Sequence, residues 1–147
     1  MPNEIKLTQE ELGLMSIFQN VTSVSPRDCI IDPQASRIVF VVDKGQMGLA
    51  IGRNGQTIKN LERTISRPVE LVEWSDDPAE FIANALGGRN IIDVKINTKA
   101  DGEKVAVVQT SMRNKGAVLG KGGRNAERAR MLAERYFGIS HIHIVSQ

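Results

Sequence analysis

The chain has 147 residues, 41% apolar and 24% charged, which is enough apolar surface for one or two small cores and too much for a disordered chain. Its net charge is only +2, and its single cysteine, Cys29, excludes an internal disulfide and a CxxC metal knuckle. The start, Met1-Pro2-Asn3-Glu4, has no basic segment leading into an apolar core, and the longest strongly apolar run, Ile38 to Val42, is too short to span a bilayer. No signal peptide and no membrane association are therefore expected, and the expected compartment is the cytoplasm.

Thr8-Gln9-Glu10-Glu11 reads as a capping box, and Leu12, Met15 and Phe18 follow at helical spacing. A helix is predicted over about residues 8–20. Arg27 to Asp32 reads as a short strand, with Cys29 a small buried hydrophobe in the run Cys29-Ile30-Ile31. Pro33 to Ser36 is a turn. Ile38 to Val42 is apolar throughout and predicts a strand buried on both faces. Lys44 to Ile51 predicts a short helix with Met47, Leu49, Ala50 and Ile51 as its apolar positions, ended by Gly52. A second helix runs from Gln56 to Ile65 with Ile58, Leu61 and Ile65 inward, and Arg67-Pro68 ends it, because the residue before a proline is pushed out of the helical region. Val69 to Trp74 reads as a strand.

The pattern then starts again. Asp77 suits an N-cap, Pro78 the first helical position and Glu80 the third residue of a box, and the helix carries Phe81, Ile82, Ala85 and Leu86 before stopping at Gly87-Gly88. Ile91 to Thr98 predicts a strand with Ile92, Val94 and Ile96 alternating; Lys99 to Gly102 a turn; Lys104 to Thr110 the next strand. Lys115 to Leu119 is a short helix, Gly123 to Phe137 a long one closed by Gly138, and His141 to Val145 the last strand. His141 and His143 share one face of that strand. Nothing nearby supplies a third ligand, so they read as strand residues and not as a metal pair.

The two halves are one pattern repeated at an offset of 68 residues, which maps Gly48 onto Gly116, Ile51 onto Leu119 and Gly52 onto Gly120. Each reads helix, strand, strand, helix, G-x-x-G loop, helix, strand. The loops are Gly52-Arg53-Asn54-Gly55 and Gly120-Lys121-Gly122-Gly123. Domains are expected at residues 1–75 and 76–147, and the short join near residues 75–77, without a Gly/Ser-rich tether, predicts rigid packing. Charge follows the same division. Residues 1–36 carry a net −3, 37–68 a net +4, 69–112 a net −4 and 113–147 a net +5. The two positive blocks carry the two loops, which points to an anionic ligand tracked along both copies. The acidic N-terminal residues Glu4, Glu10, Glu11, Asp28 and Asp32 read as a solvated face.

A turn between two helices can approach a phosphodiester only where side chains do not intervene. Glycine removes that bulk and permits positive φ, and the following helix begins with unpaired N–H groups and a partial positive charge. Arg53 and Lys121 sit in the loops, and Arg124 and Arg128 follow at i, i+4 on the long helix. The expected RNA-binding residues are Ile51, Gly52, Arg53, Asn54, Gly55, Leu119, Gly120, Lys121, Gly122, Gly123, Arg124 and Arg128, with bases over an aliphatic groove that includes Ile51 and Leu119. One extended RNA segment is expected to run across both loops. The six aromatics (Phe18, Phe40, Trp74, Phe81, Tyr136, Phe137) lie outside the loops, which argues against base stacking on strand aromatics. Gly116 to Gly122 is not a phosphate-binding P-loop: it has three residues between the first two glycines and no Ser/Thr after Lys121. No catalytic set or metal cluster is apparent, so neither an enzyme nor a cofactor is expected.

The run Ala50-Ile51-Gly52-Arg53-Asn54-Gly55-Gln56-Thr57-Ile58 resembles the KH-domain signature, an aliphatic residue, G-x-x-G, then another aliphatic three positions on. The second copy departs at Ala126, where the first has Ile58, which predicts a less fully lined groove. The resemblance covers almost the whole chain. It implies an α+β fold, two-layered, with two tandem type II KH domains of αββααβ order, each a three-stranded sheet with helices on one face. Two such units tightly joined are similar to the KH pair of the NusA family, in its archaeal form. That resemblance implies a monomeric transcription factor that binds single-stranded RNA, the nascent transcript, works with RNA polymerase, and acts in elongation, termination or antitermination. A ribosomal or ribosome-assembly RNA binder is the alternative within the same fold, and a protein scaffold whose KH units have lost RNA binding is a third.

Overall fold

The computed structural model describes residues 5–147. Residues 1–4, on which the expectations about the N-terminal start and Glu4 fall, lie outside the described residues. The chain divides into two compact units, Lys6–Trp74 and a second that includes Ser75–Gln147.

The first unit begins with α1 (Gln9–Thr22). Its capping box is formed: the Glu11 N–H donates to Thr8 Oγ1 at 3.1 Å and the Thr8 N–H donates to Glu11 Oε1 at 2.9 Å. Two otherwise orphaned N–H groups are thereby satisfied at the helix's exposed end. β1 (Asp28–Asp32) pairs antiparallel with β2 (Arg37–Val42), and β2 pairs parallel with β3 (Val69–Glu73). Parallel neighbours require a crossover from one end of the sheet to the other. The crossover here is α2 (Met47–Ile51), the glycine loop and α3 (Gln56–Ile65). The core lies between helices and sheet. Leu14 and Phe18 from α1, Ala50 from α2 and Leu61 from α3 are buried together with Cys29, Ile38, Phe40 and Val42. The rings of Phe18 and Phe40 lie 4.4 Å apart. Burying each such large side chain contributes about 1.5–3 kcal/mol. Ile38 to Val42 are all buried, as an unbroken apolar run predicts.

The second unit repeats this order. α4 (Pro78–Ala85) starts at Asp77, whose Oδ1 accepts from the Ala79 N–H at 3.1 Å. β4 (Asp93–Thr98) pairs antiparallel with β5 (Lys104–Thr110), and β5 pairs parallel with β6 (Ile139–Ser146). α5 (Lys115–Leu119), the second loop and α6 (Arg124–Phe137) form the crossover. Phe81 packs edge-on against Tyr136 and Phe137, with centroids 5.4 and 5.6 Å away. Both units therefore have the αββααβ order and the three-stranded sheets expected of type II KH domains.

Boundaries and faces differ from expectation in several places. Leu12 is 52% exposed, and Leu14 takes its place beside Phe18 on the inward face of α1. α2 starts at Met47, not Lys44, because Gly45 takes φ +87° and holds residues 44–45 in a turn. α3, by contrast, ends at Ile65 as expected, its C-cap Ser66 taking the left-handed region at φ +63° just ahead of Arg67-Pro68. Ile92 precedes β4 and is 54% exposed, so it is not an inward member of the strand. β6 begins at Ile139, because Lys104 pairs with Ile139 before a register shift brings Val105 opposite His141. The His141 and His143 rings stack with centroids 6.1 Å apart on that strand. Among the described residues no group of three or more His, Cys, Asp or Glu could hold a metal ion, and no helix is long and apolar enough to cross a membrane.

Arg37 opens β2 with a fully buried side chain, its Nε donating to Asp32 at 3.0 Å and its Nη1 to Glu70 at 3.0 Å. The arginine links the two outer strands of the first sheet, β1 and β3, across the middle one. Asp32, expected on a solvated acidic face, is instead its buried partner.

Candidate nucleic-acid interface

Both loops sit at the midpoint of a crossover, between a short helix and a longer one, and they have the same backbone. The first glycine takes φ/ψ of 79°/172° at Gly52 and 80°/166° at Gly120. The third position is left-handed, 56°/27° at Asn54 and 66°/17° at Gly122. The fourth is left-handed again, 72°/15° at Gly55 and 76°/16° at Gly123. In each, the fourth N–H donates to the first carbonyl, Gly55 to Gly52 at 3.1 Å and Gly123 to Gly120 at 2.9 Å. Two different four-residue sequences thus close the same turn.

The glycines within a loop serve different ends. A Cβ on Gly52 would lie 2.6 Å from the Thr57 Cβ and 2.9 Å from its amide nitrogen; on Gly120 it would lie 2.7 Å from Asn125 Cγ and 3.0 Å from its amide nitrogen. The first glycine is therefore needed so that the loop can fold back on the next helix. A Cβ on Gly55 or Gly123 would meet nothing within 4 Å. The fourth glycine borders open space, and a side chain there would stand where a ligand backbone could approach. It is also the N-cap residue of the following helix, and neither α3 nor α6 has a side-chain cap. The first-turn N–H groups and the positive end of the helix dipole are left to an incoming anion.

Around this backbone the side chains fall into three groups. Arg53 and Lys121 are exposed at the second loop position, and Asn54, Gly122 and Arg124 are exposed beside them. Ile51 and Leu119, the last residues of α2 and α5, are half-buried, as are Gly52, Gly55, Gly120 and Gly123. Glu127, the one acidic residue in the first turn of α6, is bonded to Arg130. That hydrogen bond holds the Arg130 pKa above its ordinary value, and it offsets the carboxylate's charge near the loop.

Arg128 departs from expectation. The i, i+4 spacing placed it beside Arg124 for phosphate contact, but it lies on the buried side of α6 with Ala129, Leu132 and Ala133. Its Nε donates to the Ala85 carbonyl at 2.8 Å, at the C-terminal end of α4. It is only 9% exposed and holds two helices together. Conversely, Leu49 stands 57% exposed on α2, just ahead of the loop, where the sequence had it among apolar positions of a longer helix. A five-residue helix is too short for periodicity to identify its outer face.

Comparison with known proteins agrees with this geometry. A KH domain model matches residues 14–97, and a model of the NusA-like second KH domain matches residues 78–147. The "Probable transcription termination protein NusA" of Halobacterium salinarum is 35% identical over 140 residues, 95% of this chain and 98% of that protein. The protein of the same name from Methanocaldococcus jannaschii is 30% identical over 142 residues, 97% of this chain and 76% of that one. Among solved structures, the crystal structure of APE1850 superposes with a TM-score of 0.85 at 36% identity, covering 95% of this chain and 100% of that one.

Proposed function

This chain belongs to the NusA family of tandem KH-domain proteins, and from that premise we infer that it is a single-stranded RNA-binding factor acting in transcript elongation, termination or antitermination. The observation that carries the reading is the doubled loop: one backbone conformation in two sequences, each open at its fourth glycine, each with an exposed cation at its second position and an uncapped helix behind it. Backbone N–H groups, the helix dipole and Arg53 or Lys121 attract phosphates. A bare glycine corner lets the sugar-phosphate chain come close, and a KH loop of this kind spans about four nucleotides.

In this reading KH domain 1 is residues 1–75 and KH domain 2 is residues 76–147. The RNA-contacting set is Ile51, Gly52, Arg53, Asn54, Gly55, Leu119, Gly120, Lys121, Gly122, Gly123 and Arg124. The two copies act on one transcript, since joining two modest sites on one chain raises the effective concentration of the second once the first is occupied. The protein is a cytoplasmic monomer, binds RNA polymerase as well as RNA, and performs no chemistry of its own.

The test is Gly55→Asp and Gly123→Asp, singly and together, measured by filter binding to single-stranded RNA. Each adds a carboxylate at a few ångströms from the expected phosphate, a repulsion of about 1 kcal/mol or more, so each should weaken binding by about tenfold. Full affinity in the double variant would refute the loop clamp. RNA polymerase should co-purify with a tagged chain; small-subunit ribosomal particles in its place would favour ribosome assembly.

A further inference from the structure

The two loops are one backbone device carrying different side chains, and the differences at and beside the glycines run mainly in one direction. Aligned at the 68-residue offset, Leu49 matches Ala117, Ile58 matches Ala126 and Asn54 matches Gly122. The first copy has the larger apolar side chain at both of the first two positions and an exposed amide in its loop, where the second has alanines and a glycine; the second copy's large exposed apolar side chain is Met112, 73% exposed ahead of α5, where the first copy has Lys44. Cations run the other way. Residues 44–56 carry Lys44 and Arg53, while the matching residues 112–124 carry Arg113, Lys115, Lys121 and Arg124, with Arg124 standing where the first copy has Gln56. One turn further on the order reverses, Lys59 against Glu127, but Glu127 is bonded to Arg130.

We propose that the copies divide the labour: the first discriminates between bases, through Leu49 and Asn54, and the second holds the sugar-phosphate backbone without regard to sequence. The proposal rests on the RNA-binding reading above. Phosphate contacts position a strand and carry no sequence information, whereas apolar contact and side-chain amides read base shape and base edges. Leu49 is suited to this because it is 57% exposed beside the loop, a large apolar side chain in water with no core to join. Asn54 is suited because it holds its left-handed conformation at φ 56° with the side chain exposed, a conformation asparagine tolerates better than most residues. Gly122 has nothing to read with.

The experiment uses the whole chain and labelled RNA homopolymers (U, C, A) much longer than two clamps of about four nucleotides each, so that both loops can be occupied. Affinity is measured over a range of salt. Leu49→Ala with Asn54→Gly, which gives the first copy the second's side chains, should narrow the ratio between best and worst homopolymer by about fivefold, the scale of one partly buried leucine, with the salt dependence unchanged. Lys121→Ala with Arg124→Gln should weaken all homopolymers by a common factor and lower the slope of log affinity against log salt by about 0.7 for each phosphate no longer neutralised. The division is overturned if the first pair leaves the ratio intact, if the second pair or Met112→Ala, which removes the second copy's exposed apolar side chain, changes the ratio as much as the first pair does, or if the unaltered chain binds all homopolymers equally. No binding of any RNA by the unaltered chain would instead overturn the RNA reading itself.

Discussion

Arg128 donates its Nε hydrogen to the carbonyl of Ala85 at 2.8 Å, tying the middle of α6 to the end of α4. An arginine that looks like part of a basic patch is thereby a structural fastener. Arg128→Ala removes the donor, leaves that carbonyl without it in a buried place and opens space on the packed face. The expected cost is about 2 kcal/mol in urea or thermal unfolding. RNA affinity at a temperature where the variant is folded should be unchanged; weaker binding with full stability would return Arg128 to the interface.

The glycines of each loop should separate stability from binding. Gly52→Ala and Gly120→Ala add a Cβ within 3.0 Å of a backbone nitrogen at a positive φ, so each should cost about 2 kcal/mol or more. Gly55→Ala and Gly123→Ala meet open space and incur only the left-handed backbone cost, about 1 kcal/mol. Unfolding curves of the four variants check the order, and equal destabilisation at all four would contradict the geometry.

Arg37 should matter far more for stability than a single charge on a strand usually does. Its side chain is fully buried between Asp32 and Glu70, themselves only 11% and 17% exposed. Arg37→Ala leaves two carboxylates without their cation, a destabilisation of about 3–5 kcal/mol that added salt does little to relieve. The exposed pair Arg67–Glu10, at 3.2 Å, is the contrast: Arg67→Ala should cost no more than about 1 kcal/mol. Urea unfolding at low and high salt measures both.

At the N-terminal end of α1 the reciprocal bonds between Thr8 and Glu11 predict that Thr8→Ala lowers stability by about 1 kcal/mol. Glycine at the same position should recover most of that deficit, since it caps nearly as well. A Thr8→Ala variant as stable as the unaltered chain would mean that the bonds are incidental.

Local chemistry made much of this molecule readable in one dimension. The capping box at Thr8, the proline after Asp77 and the unbroken apolar run of β2 announced their elements because each depends on neighbours a few residues away. The repeated G-x-x-G loop was legible for the same reason: a tight turn is decided by the residues within it. What the chain order could not give was which way a side chain faces once helices pack. Arg124 and Arg128 are indistinguishable by type and spacing, and only the approach of α4 to α6 buries one of them. Leu49 read only as one of four apolar positions, and α2 is a short helix whose inward position is filled by Ala50. Nothing beside Arg37 in the chain marks it as buried; β1 and β3 do so by bringing Asp32 and Glu70 to either side of it. Contacts between residues far apart in sequence exist only after the sheet has formed, and they, not residue type, decide which cations remain available to a ligand.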